Sequence, residues 1–239
     1  MHKDVPGAPP WIARLPLDAR GFPIPAEAAW DGDEPQIEKG SIGRSTLLTL
    51  SNACAVCGGP LGDGTVYRAF AQADAATIRL DERELASDFN GATHRSCIYY
   101  SVFACPYLSS ANARLRPDTM YAERLRRGTR PAVMGFEGHG VLVAAAGSPP
   151  VFGFLRLTVD HPYKTADEVV DEYTEAVAED AWLDEEPGLY WGAEYDESNL
   201  YGPAMDAIRS VPRRRAAPRT FRGHQTTLIV ARAADEHLL

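Results

Sequence analysis

The sequence predicts an α+β protein in which a small cysteine-bearing module precedes an antiparallel sheet covered by helices. Three observations carry this reading. Cys54 and Cys57 form one close pair, and His94 and Cys97 form another, with 36 residues between them. Two apolar runs, 141–146 and 151–159, are separated by Gly147-Ser148-Pro149-Pro150, which is a turn signal between two strands. Behind them, 165–182 alternates apolar and acidic residues at helical spacing.

Residues 1–40 are rich in Pro and Gly, with apolar anchors such as Trp11, Ile12, Leu15, Ile24 and Trp30. Proline fixes φ and removes a backbone donor, so this stretch reads as an extended, Pro-rich arm without a regular helix or internal strand. Ser41 is placed to cap a short helix running to Leu50, with Ile42, Leu47, Leu48 and Leu50 as its apolar side. Cys54-Ala-Val-Cys57-Gly-Gly reads as a tight knuckle, and loose alternation over 64–80 suggests a hairpin or two short strands. After a polar stretch, 81–92, a helix is expected from His94 to Leu108. Residues 109–131 are polar and carry Arg114, Arg116, Arg124, Arg126, Arg127 and Arg130; they are expected as a loop or short helix joining two halves.

In the second half, 141–146 and 151–159 form the expected antiparallel hairpin. Thr165-Ala-Asp-Glu168 matches a capping box, followed by Val169, Val170, Tyr173, Ala176 and Val177 on one face and carboxylates on the other. That helix is expected to run to about Trp182 and to cover the sheet. A short strand at 188–193, a short helix at 203–210 and a final strand at 225–231 complete the prediction. The resulting division is an arm at 1–40, the cysteine module at 41–111 and an α+β half at 112–239. The sequence leaves open whether the last two share one core.

The chain has 239 residues, enough for a core without disulfide staples. Hydrophobic residues make up 45%, which excludes wholesale disorder. No apolar window reaches the ~18 residues needed for a transmembrane helix. The N-terminal residues lack the apolar stretch of a signal peptide, so a cytoplasmic chain is expected, with no membrane partner. Net charge is −9, which argues against default nucleic-acid binding. The charge is unevenly spread: between Asp160 and Glu197, Lys164 is the only cation. Between Arg209 and Arg232 there is no carboxylate, while Arg209, Arg213, Arg214, Arg215, Arg219 and Arg222 all fall there. Charge runs are usually solvated or face each other; the sharper alternative is contact with phosphate or an acidic partner.

In a reducing compartment four cysteines are not a disulfide framework. Residues i and i+3 share one helix face, so His94 and Cys97 can converge on the point that Cys54 and Cys57 address. Three thiolates and one imidazole suit a tetrahedral Zn²⁺. The order of knuckle, hairpin and helix N-terminus is that of a treble clef, so the first part of the fold is read as a treble-clef-like zinc module. Gly58 would let the knuckle close. Cys105 is an alternative fourth ligand. It lies eight residues beyond Cys97, about 12 Å along a helix, and is better read as a small packing residue. A redox C-x-x-C would need a βαβ context, which is not apparent here. An HNH-type nuclease would need a hairpin His, and 64–80 contains none. A closed four-ligand site is structural, because no position remains for substrate.

Leu15-Pro-Leu-Asp-Ala-Arg-Gly-Phe-Pro-Ile-Pro25, Cys54-Ala-Val-Cys-Gly-Gly-Pro-Leu-Gly62, and His94-Arg-Ser-Cys97 followed by Cys105-Pro-Tyr-Leu108 together resemble an uncharacterised zinc-binding family of actinobacteria and their phages. The resemblance covers residues 15–108 and implies a bacterial or phage origin, with zinc at Cys54, Cys57, His94 and Cys97. It implies no activity. Where relatives tend to carry Pro-Pro before the histidine, this chain has Gly91-Ala92-Thr93.

Other candidates are scattered. Asp160-His161 follows a strand, and with His139, His224, Glu137 and Glu194 could supply acid–base or metal chemistry, though no spacing forces them together. No nucleophile elbow, phosphate loop, H-E-x-x-H or dinucleotide fingerprint occurs. Trp182, Tyr190, Trp191, Tyr195 and Tyr201 sit in the acidic stretch, where they either pack or offer a surface to a cationic ligand or basic protein. The expected function is therefore a zinc-stabilised binding protein with a protein partner and no catalytic residues. Nucleic-acid binding through the C-terminal arginines and an enzyme site in the C-terminal half stand as alternatives.

Overall fold

The computed structural model describes residues 6–105, 108–109, 130–144, 148–195, 197–212 and 216–233. It is a mixed α/β structure with an antiparallel sheet and packed helices. The elements, in order, are α1 (Pro10–Ala13), β1 (Ala28–Asp31), β2 (Glu34–Gly40), α2 (Ile42–Leu50), β3 (Val66–Phe70), α3 (Gln72–Asp81), β4 (Leu85–Asp88), α4 (Arg95–Ala104), β5 (Ala132–Ala144), β6 (Val151–Pro162), α5 (Val170–Glu179), α6 (Glu197–Ser210), β7 (Ala216–Phe221) and β8 (His224–Ala233). Short 3₁₀ turns at Ala166–Val169 and Ala181–Asp184 flank α5.

The centre is β5. One of its edges pairs with β6, and the other pairs first with β3 over Ala132–Phe136 and then with β8 over Gly138–Ala144. β4 extends the sheet beyond β6, and β7 extends it beyond β8; every pairing is antiparallel. Two strands of the cysteine-bearing segment, β3 and β4, thus belong to the same sheet as the C-terminal strands. β5 is buried along almost its whole length, as a strand covered on both faces must be. Phe70, Phe136 and Phe154 meet at 5.1–6.0 Å between ring centroids, joining β3, β5 and β6 in one core.

Several elements depart from the sequence expectation. Part of the arm is not extended: α1 begins at Pro10, where a proline is tolerated in a first helical turn, and β1–β2 form a separate hairpin. The stretch 64–80 holds one strand and the helix α3, because β3 finds its partner in distant β5 rather than in its neighbour. Ser41 does cap α2, accepting from the Arg44 N–H at 3.1 Å. Yet the fully buried face of α2 comprises Gly43, Arg44, Ser45, Thr46, Leu48 and Thr49, since the helix is wedged between α6 and the sheet. Glu168 accepts from the Lys164 N–H and Thr165 makes no side-chain cap, so the first turn is 3₁₀ and α5 proper starts at Val170. Residues 188–193 form no strand, and α6, of 14 residues, starts six residues earlier than expected, at Glu197. β7 is a strand the sequence reading missed; a two-residue turn, Arg222-Gly223, with both φ angles positive closes it onto β8. Residues 110–129, 145–147 and 213–215, with the expectations made for them, lie outside the described residues.

Candidate metal centre

Cys54 and Cys57 lie on a knuckle between α2 and β3. The Ala53–Pro60 bridge closes its base, the Cys54 N–H donates to the Gly59 carbonyl at 2.8 Å, and the Gly58 N–H donates to the Cys54 carbonyl at 2.9 Å. This turn needs a positive φ, +73°, which Gly58 supplies. Two backbone donors then point at the sulfurs: Val56 N–H to Cys54 Sγ and Gly59 N–H to Cys57 Sγ, each at 3.4 Å.

The other pair stands at the start of α4. His94 is its N-cap, and Cys97 lies within its first turn. Thr93 and Tyr67 exchange both backbone hydrogen bonds, at 2.9 and 3.0 Å, which fixes the strand entering the helix. The Ala55 N–H donates to the Ala92 carbonyl at 2.8 Å and ties the knuckle to the same strand. Asp180, just past α5, accepts from the Ser96 N–H at 2.9 Å and so caps the end of α4 that carries His94 and Cys97.

These constraints bring Cys54, Cys57, His94 and Cys97 together. All four are buried, and their ligand atoms lie within 4.8 Å of one another. A tetrahedral ion with bonds of about 2.0–2.3 Å can bridge donors so spaced. His94 Nδ1 faces the sulfurs, 3.4 Å from Cys57 Sγ and 3.8 Å from Cys97 Sγ. Its Nε2 lies 2.8 Å from the Pro60 carbonyl, to which it must donate; this leaves Nδ1 as the lone-pair donor. Cys105 caps the far end of α4 and is not in the cluster, so it does not replace His94. All four cysteines are free thiols.

The electrostatics fit a cation. Burial disfavours a charge on Cys54, yet hydrogen bonds with the Cys57 and Cys97 thiols and with His94 hold its thiol well below the ordinary value. Burial, then hydrogen bonds to Cys54 and Cys57, push the Cys97 thiol well above it. Ionising one thiol therefore suppresses ionisation of the next, and a divalent cation removes that conflict by stabilising every thiolate.

A segment from the C-terminal half covers the centre. Leu183 is fully buried, and the Trp182 ring meets the His94 ring edge-on at 6.0 Å. The Leu189 N–H donates to the Gly58 carbonyl at 2.9 Å. Two arginines hold this segment by its carbonyls. Arg14 reaches those of Leu183 and Glu186, at 3.3 and 2.6 Å. Arg44, wholly buried, reaches those of Trp191, Gly192 and Tyr195. The sequence reading missed both arginines. Its one hint was that Arg44 is the only charged residue in the helix that carries it.

Also missed was a buried network beside the centre. The Glu27 carboxylate accepts from Gly91 N–H at 2.9 Å and Ser45 Oγ at 3.1 Å, with Arg68 at 3.5 Å, while Arg68 pairs with Asp88 at 2.7 Å. Burial pushes Glu27 up to about 7, against the pull of the Arg68 charge.

The remaining candidates are not assembled. Asp160 and His161 stand opposite Met134 and Val133 at one end of β5, His139 lies five or six residues further along, and His224 lies past the opposite end. At about 3.3 Å per residue, the first step alone spans more than 15 Å. Asp160 is held by a bidentate Arg79, His161 lies between the Tyr99 hydroxyl and Glu172, His139 bonds Asn52, and Glu137 pairs with Arg156. Glu194 lies in the covering segment, against Gly192. Among the C-terminal arginines, Arg209 pairs with Asp206 and Arg222 with Glu82, and Arg219 stands in β7 opposite Thr226; Arg213, Arg214 and Arg215 lie outside the described residues. Of the aromatic residues in the acidic stretch, Tyr190 and Trp191 pack inward on Ala26, Leu48 and Ala53, whereas Trp182, Tyr195 and Tyr201 are exposed. No helix among the described residues is long and apolar enough to cross a membrane. No protein-family model, curated protein or solved structure matches the chain.

Proposed function

We propose that the chain is a zinc-stabilised binding protein of the cytoplasm, with a structural Zn²⁺ held by Cys54, Cys57, His94 and Cys97 and another protein as its partner. The observation that carries this reading is the closed donor set: four buried ligand atoms converge, and Leu183 and Trp182 seal them. Such an ion has no open position for substrate and acts as a cross-link between the knuckle and α4. The soft thiolates favour zinc over magnesium or calcium. The order of knuckle, Tyr67–Thr93 ladder and helix N-terminus supports a treble-clef-like arrangement, with β3, α3 and β4 forming an excursion between the ladder's two sides.

The surface best suited to a partner lies on and beside the covering segment. Trp182, Leu189, Tyr195 and Tyr201 are each more than 40% exposed there. Residues 165–208 contain no Lys or Arg and many carboxylates, so these apolar groups sit in an acidic stretch of the chain, reached from elsewhere by Arg14 and Arg44 at backbone carbonyls, and suit a basic protein surface.

Metal analysis of the purified chain tests the centre. One zinc per chain is expected, retained in Cys105→Ala and lost or loosened in Cys54→Ser and His94→Ala. Zinc that depends on Cys105 and ignores His94 would overturn the ligand set. Enzymatic turnover abolished by His161→Ala would overturn the non-catalytic reading.

A further inference from the structure

The segment 181–195 contains one 3₁₀ turn and no strand or α-helix. A stretch without its own hydrogen-bond ladder is ordered only by what it touches. Its first half, up to Leu189, touches the cysteine knuckle, while Arg14 and Arg44 hold carbonyls of Leu183, Glu186, Trp191, Gly192 and Tyr195. The Leu189 N–H donates to Gly58, the residue that follows Cys57. A Cβ on Gly58 would stand 2.0 Å from the Leu189 carbonyl oxygen, and a Cβ on Gly188 would stand 2.5 Å from the Cys57 carbonyl oxygen. The two backbones therefore meet with no room for a side chain on either side. The Leu183 side chain is the nearest neighbour of Gly59, whose N–H donates to Cys57 Sγ. Trp182 packs on His94, and Asp180, at the root of the segment, caps the helix that carries His94 and Cys97.

We propose that residues 181–195 are a metal-coupled strap: Zn²⁺ holds the knuckle in the shape that the strap fits, and the docked strap in turn holds the ligands. This rests on the metal reading above and adds regulation to it, because Trp182, Leu189 and Tyr195 ride on the strap. Removal of zinc frees the knuckle backbone and its Gly58 and Cys57 carbonyls. The strap then loses its dock, Leu183 is uncovered, and the acidic, aromatic surface is dismantled. Arg14 and Arg44 still hold individual carbonyls, so the release is a local opening rather than a loss of the sheet. Linkage requires the converse: a lesion in the strap that touches no ligand must weaken zinc binding by the same factor by which zinc favours docking.

Hydrogen exchange read by mass spectrometry on the full chain tests this, with and without a zinc chelator. The expected result is exchange at least about tenfold faster over 183–195 after chelation, with β5, β6 and β8 still protected. Gly188→Ala, far in sequence from every ligand, is expected to lower Zn²⁺ affinity at least about tenfold in a competition titration with a chromophoric chelator. A chain that binds Zn²⁺ but exchanges no faster over 183–195 once stripped overturns the strap alone. So does a chain in which the sheet opens together with the strap, or a Gly188→Ala variant with undiminished affinity. A chain that binds no Zn²⁺ overturns the metal reading and, with it, this proposal.

Discussion

Replacing Gly58 by alanine probes the contact between knuckle and covering segment. Two costs combine at this position. Its φ of +73° is left-handed, which costs a non-glycine residue about 1–2 kcal/mol. In addition, the new Cβ would lie 2.0 Å from the Leu189 carbonyl oxygen, and relief to an ordinary 3.4 Å moves that backbone by about 1.4 Å. A shift of that size breaks the 2.9 Å bond from Leu189 N–H to Gly58. Losing it costs about another 1–1.5 kcal/mol. Gly62 is the matched control. Its φ is +62°, but its Cβ would meet only the Trp182 ring, at an ordinary 3.6 Å. Gly62→Ala should therefore cost about 1–2 kcal/mol and Gly58→Ala about 3 kcal/mol. Urea unfolding at a fixed free Zn²⁺ concentration measures both. With a slope near 2 kcal/mol/M, the two midpoints should fall about 1.5 M and 0.5–1 M below wild type. Equal midpoints for the two variants would refute the close approach of Leu189 to the knuckle.

The other predictions concern buried charge. Glu27 moves from an ordinary 4.5 to about 7 in the folded chain, so the folded state binds its proton more tightly than the unfolded state does. Its contribution to stability is thus complete below pH 4.5 and is lost as pH rises through 7. The loss is on the order of 3 kcal/mol. Glu27→Gln should flatten that part of the profile and be the more stable protein at pH 8; an unchanged slope between pH 6 and 8 in urea titrations would count against the argument. Arg44→Met removes a fully buried guanidinium that donates to the carbonyls of Trp191, Gly192 and Tyr195. It should cost about 3 kcal/mol and speed amide exchange over 191–195, whereas a loss under 1 kcal/mol would show that the clamp carries little. Arg209 and Arg222 each pair with a carboxylate, Asp206 and Glu82, and the chain carries a net charge of −9, so repulsion is expected to outweigh phosphate contacts at the described arginines. Fluorescence anisotropy with a labelled DNA duplex at low salt should show no binding; tight binding with a steep salt dependence would reinstate the nucleic-acid reading.

Much of the local structure was legible in the sequence because its cause is local. Ser41 caps α2 through an oxygen three residues from the donor it meets. The pairing of β5 with β6 follows two apolar runs that flank Gly147-Ser148-Pro149-Pro150 in the sequence. Amphipathic spacing marks α5, whose Tyr173 and Ala176 are buried while its carboxylates face outward. The donors Cys54, Cys57, His94 and Cys97 were legible for a different reason: two short pairs each demand a turn or a helix start, and these residue types share a ligand chemistry. What misled the reading was also local. Alternation over 64–80 suggests a hairpin or two short strands, but β3 pairs with β5, more than sixty residues away, and α3 follows it. Arg222-Gly223 carried a turn signal that was passed over in favour of its charge.

The four candidate donor types, the helix and strand signals and the uneven charge can be read along the chain, since each follows from residues a few positions apart. Folding is what brings β3 and β4 into the C-terminal sheet, sets Arg14 and Arg44 on one covering segment, and places Gly188 against the Cys57 carbonyl. Those contacts span more than a hundred residues in several cases, and they depend on backbone carbonyls, which every residue carries alike. A side chain that recognises only backbone leaves no complementary residue type to read in the partner segment, so such a contact becomes visible once the chain has folded and brought the two together.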